Sequence, residues 1–452
     1  MNEKHQPIYD AKQLGYGKML LLGLQHMFAM FGATILVPIL VNGYFGGKGQ
    51  TLSIQVTLFF AGVGTLFFHF CTKRKVPAFL GSSFAFLGGF LTVANLNTGI
   101  YKGMEASEKI RYACGGIVVA GLLYLILALI VKLVGVRKVM RYLPPVVTGP
   151  IIISIGLTLA TSAVQNCQNF WPLAIIALLV VIVFNIWGKG MFKILPILMG
   201  VVISYIAAII FNACGFTTAV GKPILDFSGV SAASFIGIPP FQFCKFDITA
   251  ILVMAPIAIA TMMEHIGDIS AISATVEENF IEDPGLHRTL IGDGLATALS
   301  ALFGGPANTT YGENTGVLEL SKVYDPVVVR LAACFAIVLS FIPKVSELIS
   351  SLPISIIGGI SFILYGMISA IGIRNVVENQ VDLTKSRNLI IAAVILVSAL
   401  GFTSGITFKI AGVSITLTGL AIAAIAGIVL NAILPGNDYV FENNESTETV
   451  EK

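Results

Sequence analysis

The chain has 452 residues, 56% of them hydrophobic and only 11% charged, and its mean hydropathy is +0.89. These values exclude a soluble globule and leave a polytopic all-α membrane protein. The net charge of +3 says little about partners; no nucleic-acid partner is expected, and the partner implied by composition is the lipid bilayer. Six cysteines stand singly with no Cys-x-x-Cys pair, so no metal site, disulfide framework or cofactor is expected, and the thiols read as small packing residues.

Apolar runs of about 20 residues, long enough to span a ~30 Å hydrocarbon core, recur from Met19 to the vicinity of Leu434, about fourteen in all. Residues 1–17 form a polar start. The first span continues well past the length of a signal segment and shows no small-residue cleavage pattern, so it reads as a retained helix. Within it, Gln25-His26 and then Met30-Phe31-Gly32-Ala33-Thr34 interrupt the apolar face. Small residues there allow another segment or a ligand to approach the backbone closely.

After a second span and the basic turn Lys73-Arg74-Lys75 comes Pro77-Ala78-Phe79-Leu80-Gly81-Ser82-Ser83-Phe84. The rest of the first half (117–131, 146–161, 171–187 and 194–211) is apolar with few hydrogen-bonding side chains, and reads as scaffold. A long polar segment between Asn212 and Asp247 divides two halves of similar size, 18–212 and 247–434, with 213–246 as the connection. Such a division is expected of a chain built from two repeats.

The eighth span starts at Ile248 and carries Glu264-His265-Ile266-Gly267-Asp268. Glu264 and Asp268 are four apart and share a helix face, whereas His265 points elsewhere. A charge at the centre of a bilayer costs about 2.5–3.5 kcal/mol on insertion scales, so an acid pair placed there marks a site, unless it lies just beyond the span and is solvated. Glu277, Glu278, Glu282 and Asp283 fall in a polar turn and read as solvated. Asp293, between Gly292 and Gly294, fits a packing or capping role as well as a functional one.

The stretch from Gly304 to Lys322 interrupts the apolar pattern where the flanking runs demand a crossing. It holds Pro306, Gly312, Gly316, several hydroxyl and amide groups and Glu313. Irregular backbone at membrane depth is tolerated only inside protein or along a polar cavity. Pro77-Ala78 and Pro306-Ala307 open the two stretches alike, and counting from the prolines sets Phe84 level with Glu313. Paired Gly/Pro-interrupted segments in two halves of a transporter point to the substrate site, although two ordinary loops would also account for them. A polar, acidic tail, 435–452, ends the chain. With both termini on one face, that face collects roughly 19 of the 27 Lys and Arg residues and is oriented to the cytoplasm by the positive-inside rule.

Four stretches resemble the nucleobase–ascorbate transporter family, the nucleobase–cation symporters, and in particular its uracil-type bacterial members. They are Gln25-His26 with Met30 to Thr34, Pro77-Ala78 with Gly81 to Phe84, Glu264 to Gly267, and Asn308-Thr309-Thr310-Tyr311-Gly312-Glu313-Asn314. Ser321 stands where the family signature usually has Thr. Xanthine and urate members usually carry Gln where this chain has Glu313.

The resemblance implies about fourteen segments in two inverted seven-segment repeats, core and gate domains, and short extended stretches in the third and tenth segments. It implies proton-coupled symport of uracil across the plasma membrane, with no enzymatic activity, and a homodimer formed through the gate domains. It also implies that Glu264 and Glu313 bind the pyrimidine, that backbone near Phe84 and Gly312 meets its polar edge, and that Tyr311 and Ala33 shape the pocket. In uracil members a His stands four residues after the Glu of the eighth segment, and is linked to proton coupling. Here Asp268 takes that place, so Asp268, Glu264 and Glu313 are the candidate proton carriers.

The chemistry agrees. A carboxylate accepts from the N–H groups of a neutral pyrimidine, and a buried carboxyl has its proton affinity raised. Alternatives are another nucleobase such as xanthine, or a sulfate-type anion transporter of the same fold, which the two carboxylates disfavour by repulsion. A channel would arrange acids in a ring. A haem or metal enzyme would need more than the five dispersed histidines.

Overall fold

The computed structural model describes residues 7–46, 52–410 and 413–436. Most of the acidic tail expected from Pro435 onward, and residues 1–6 of the polar start, lie outside the described residues. In the first half, helices α1 (Tyr16–Tyr44) and α2 (Ile54–Cys71) lead to strand β1 (Leu80–Ser82) and the short helix α3 (Leu87–Ala94). There follow α4 (Ala106–Val134), α5 (Val136–Met140), α6 (Pro145–Cys167), α7 (Trp171–Trp187), α8 (Met191–Ile194) and α9 (Pro196–Ala213).

The connecting stretch holds α10 (Ser228–Ala232). The second half then runs α11 (Ile248–Met254), α12 (Ile257–Val276), α13 (Leu286–Leu302), strand β2 (Asn308–Thr310) and α14 (Glu313–Ser321). It continues through α15 (Pro326–Ser340), α16 (Pro343–Ser350), α17 (Ile354–Glu378) and α18 (Ser386–Gly401), a hairpin of β3 (Ile406–Ile410) and β4 (Val413–Leu417), and α19 (Gly419–Ile433).

Helix starts follow local chemistry. Proline occupies the first turn of α6, α7, α9, α15 and α16, where its missing N–H would be unsatisfied anyway. Ser53, Asp247, Asp325 and Thr418 accept first-turn N–H groups at the starts of α2, α11, α15 and α19. The eighth span, continuous by its apolar pattern, is broken between α11 and α12 at Pro256, which cannot donate the helical hydrogen bond.

Among the described residues seven helices are long and apolar enough to cross a membrane, and α15 with α16, bent by 87°, makes an eighth. The chain is therefore an all-helical, multi-pass membrane protein. Packing sorts the helices into two groups. In one, α4 lies along α13 and α11, and α2 along α13 and α15, with α1 against α15. In the other, α6 lies along α17 and α18, and α7 along α9 and α17.

Close approach rests on small residues. Cβ atoms added at Gly121 of α4 and Gly294 of α13 would come within 2.5 and 2.6 Å of each other's carbonyl oxygens. Cys214 and Cys334 are exposed, so a packing role fits only the other four thiols. Asp283 is solvated as expected, its side chain 63% exposed, and it also forms an ion pair with Lys75, whose ammonium holds its carboxyl below the ordinary carboxylate range.

Candidate functional site

Strands β1 and β2 lie at the centre of the first packing group and pair antiparallel, with Leu80 opposite Thr310, Gly81 opposite Thr309 and Ser82 opposite Asn308. All six residues are buried or nearly so. Without water, each backbone group must find a partner inside the protein. Beyond the ladder, Tyr311 N donates to Phe79 O and Ser83 N to Ala307 O, both at 2.9 Å.

Neighbouring helices supply further partners. Thr65 of α2 accepts from Leu80 N at 2.9 Å, and His69 Nε2 donates to Ala78 O at 2.9 Å. From α13, Thr297 Oγ1 donates to Asn308 O and Ser300 Oγ to Pro306 O at 2.6 Å. The Asn308 amide donates to Phe60 O at 2.8 Å. The interrupted stretches are thus a fixed two-stranded platform held by polar side chains of α2 and α13.

The front of this platform is bordered by a small cavity lined by Ser82, Phe84, Glu264, Asp268, Tyr311 and Gly312, with Thr309 and Thr310 beneath and Ile152, Ile368 and Ile371 opposite. Residues from both packing groups therefore close on it. Tyr311 is held by donation from its hydroxyl to Ser82 O at 2.8 Å, with Thr34 Oγ1 of α1 3.4 Å away. Phe84 is 5% exposed and meets the ring of Tyr365 edge-on, centroids 5.8 Å apart.

Glu264 is half-buried. Asp268, 4% exposed, lies close enough that a Cβ at Gly312 would stand 3.0 Å from its Oδ1. The pair thus sits inside the protein and not in solvent beyond the span. The first-turn ends of α3 and α14 also approach this place, since Gly312 immediately precedes α14 and Phe84 lies three residues before the start of α3. Carboxylates, oriented backbone and apolar walls together suit a small, planar, polar molecule.

Five sequence candidates, Phe84, Glu264, Asp268, Tyr311 and Gly312, meet at the cavity. Ala33 is fully buried on α1, beside Thr34 and outside the lining. Glu313 opens α14, and its side chain lies outside those described. Among the described residues no group of three or more His, Cys, Asp or Glu could hold a metal.

The sequence reading left two neighbours unassigned. His265 turns away from Glu264 and sets its Nδ1 2.8 Å from Thr310 Oγ1 and 3.1 Å from Asp293 Oδ2. All three side chains are buried, so His265 and Asp293 support β2 through its residue Thr310. Their signal in the sequence is that each is a polar residue inside an apolar run.

Residues 17–408 match the permease family. A uracil permease of Bacillus caldolyticus is 40% identical, covering 98% of this chain and 99% of its own length. A uracil permease of Escherichia coli K12 is 36% identical over 91% of this chain and 90% of its own. A pyrimidine permease of the same organism, described as putative, is also 36% identical, over 94% and 91%.

Among solved structures, the transmembrane domain of a cyanobacterial bicarbonate transporter, BicA, superposes with a TM-score of 0.61 at 15% identity, covering 93% of this chain and 99% of that one. The anion transporter SLC26A9 gives 0.64 at 13% identity, over 94% and 66%. These two likenesses establish the fold alone.

Proposed function

The chain belongs to the permease family, that of the nucleobase–ascorbate transporters, and from that premise we propose that it carries uracil into the cell in symport with protons. The observation that carries this reading is the cavity where Glu264 and Asp268 border the two broken stretches. Uracil alternates N–H and C=O around its edge. Glu264 and Glu313 accept from its N–H groups, and backbone N–H near Phe84 and Gly312 donates to its carbonyls. Hydrogen bonds to a charged acceptor are about twice as strong as neutral ones. Tyr311 forms one wall, and Ala33, buried on α1, helps shape the pocket. The positive first-turn ends of α3 and α14 favour the carboxylates and the ligand carbonyls alike.

Coupling runs through the acids. A carboxyl in this setting takes a proton from outside and releases it inside. Asp268, one turn from Glu264, stands where uracil-type relatives carry His, and the two acids favour one shared proton. The cavity volume is about 20 Å³, enough for a water and less than a pyrimidine ring needs. Loading therefore separates the α6–α17 group, as gate, from the α1–α2–α13 group, as core.

The same proposal takes the chain as fourteen crossings in two inverted repeats, 18–212 and 247–434, joined by 213–246. Besides the eight long crossings, α7, α13, α18 and α19 and the units β1–α3 and β2–α14 complete the number. Both termini are cytoplasmic in the plasma membrane, and the gate helices form a homodimer. An anion substrate is disfavoured by the same carboxylates.

The test is uptake by proteoliposomes holding the purified protein. Labelled uracil should enter and be displaced by excess unlabelled uracil, but not by xanthine or sulfate. Displacement by xanthine or sulfate in place of uracil would overturn the assignment.

A further inference from the structure

A second cavity, of about 160 Å³, lies farther along α14. Phe28 of α1 and Gly316 and Val317 of α14 form one side, and Ile197 of α9, Lys193 of α8 and Met367 of α17 form the other. The two cavities are neighbours. On α17, Met367 borders the second and Ile368 the first. On α14, Gly316 lies one turn, about 6 Å, beyond Gly312. The second cavity lies toward the end of the protein where the N-terminal segment packs, because just past α14 the Lys322 carbonyl accepts from Ile8 N at 2.8 Å.

Close by, the two packing groups interlock. Ile197, 8% exposed, is seated on Gly32 of α1 so closely that a Cβ there would overlap its Cγ2. The space is open on one side, where Gly316, Leu320 and Lys193 are exposed, whereas Val317 on the same lining is only 2% exposed. A helix-interior glycine costs about 0.8–1.0 kcal/mol against alanine. Gly316 is exposed and a Cβ there would meet nothing within 4 Å, so a larger side chain at this position has room to project into the second cavity. Beside the latch, Gly190, with φ +58, and the non-helical Leu195 separate α7, α8 and α9, which lets the start of α9 move as a unit.

We infer that the second cavity is the way station by which the transported base leaves toward the terminus-bearing face, and that Ile197 on Gly32 is the latch that closes it. The inference rests on the nucleobase reading above. Apolar walls receive the flat faces of a neutral heterocycle, and Asn185 and Lys193, both on the lining, offer donors to its carbonyls.

Two arms test it in the full chain reconstituted in proteoliposomes. Gly316→Leu fills the second cavity and leaves the first untouched. Uracil binding should stay within twofold of the parent while counterflow of labelled uracil falls at least tenfold, and Gly316→Ala should keep counterflow within twofold. Unchanged counterflow in Gly316→Leu, joint loss of binding and counterflow, or loss of counterflow in Gly316→Ala overturns the inference.

The second arm needs no ligand. Val317→Cys is exposed to an impermeant maleimide at the terminus-bearing face, and labelling is read by peptide mass. Adding Ile197→Ala should raise the labelling rate at least threefold, and an unchanged rate overturns the latch. If the parent protein binds no uracil, the substrate reading fails and the labelling arm alone decides the route.

Discussion

Replacing Gly312 with valine isolates space from strain, because its φ of −62° and ψ of −26° suit any residue. A Cβ there would stand 3.0 Å from Asp268 Oδ1 and 3.4 Å from Ile371 Cδ1, inside the ~3.5–4.0 Å of an optimal carbon contact. The two γ carbons of valine then reach into a cavity of only about 20 Å³. Overpacking of this kind costs about 1–3 kcal/mol. At 1.4 kcal/mol per factor of ten, uracil binding should weaken by about five- to 150-fold, with Gly312→Ala near the lower end. Isothermal titration of the purified variants measures the loss, and the melting temperature without ligand separates a filled cavity from a damaged fold. Binding by Gly312→Val within twofold of the parent would refute the placement of the ligand.

The remaining expectations address contact, coupling and scaffold in turn. Glu264→Gln keeps the shape and removes the charge, so uracil binding should weaken by about 1.5–3 kcal/mol; unchanged affinity in titration would remove Glu264 from the ligand. Asp268→Asn should abolish accumulation driven by a pH gradient while equilibrium binding and counterflow persist, and full accumulation would make this carboxyl dispensable. Thr65→Val leaves the buried Leu80 N–H without the hydroxyl that accepts from it at 2.9 Å. The melting temperature should fall by an amount matching about 1–3 kcal/mol, and an unshifted melting curve would deny Thr65 its part in holding β1.

The position of the site is legible in the residues themselves. Proline and glycine cannot sustain a helix at Pro77–Gly81 or Pro306–Gly312, and membrane depth leaves such backbone nowhere to go except a protein-lined cavity. The acid pair Glu264 and Asp268 is legible from helical spacing alone. The register is not. Leu80 meets Thr310 because Thr65 and His69 on α2 and Thr297 and Ser300 on α13 hold the strands from behind. In sequence these are single polar residues in apolar runs, with nothing local to say which carbonyl each will meet.

Asp293 reads equally as a cap or a functional acid until the fold sets it 3.1 Å from His265. Its partner lies on another helix, so no spacing rule reaches it. The Gly32-Ala33-Thr34 run announces close approach, but only the fold identifies Ile197 as what approaches Gly32. Pro256 interrupts the eighth span between α11 and α12, and here the sign is the proline itself and not the apolar pattern, which runs on unbroken.

Uracil accumulation by proteoliposomes under an imposed pH gradient, acidic outside, tests proton-coupled uracil transport most directly. Internal uracil should rise above the external concentration, collapse to equilibrium when a protonophore is added, and be accompanied by alkalinisation outside as uracil enters. Uracil that only equilibrates, at a rate indifferent to the gradient and with no movement of protons, would contradict the account.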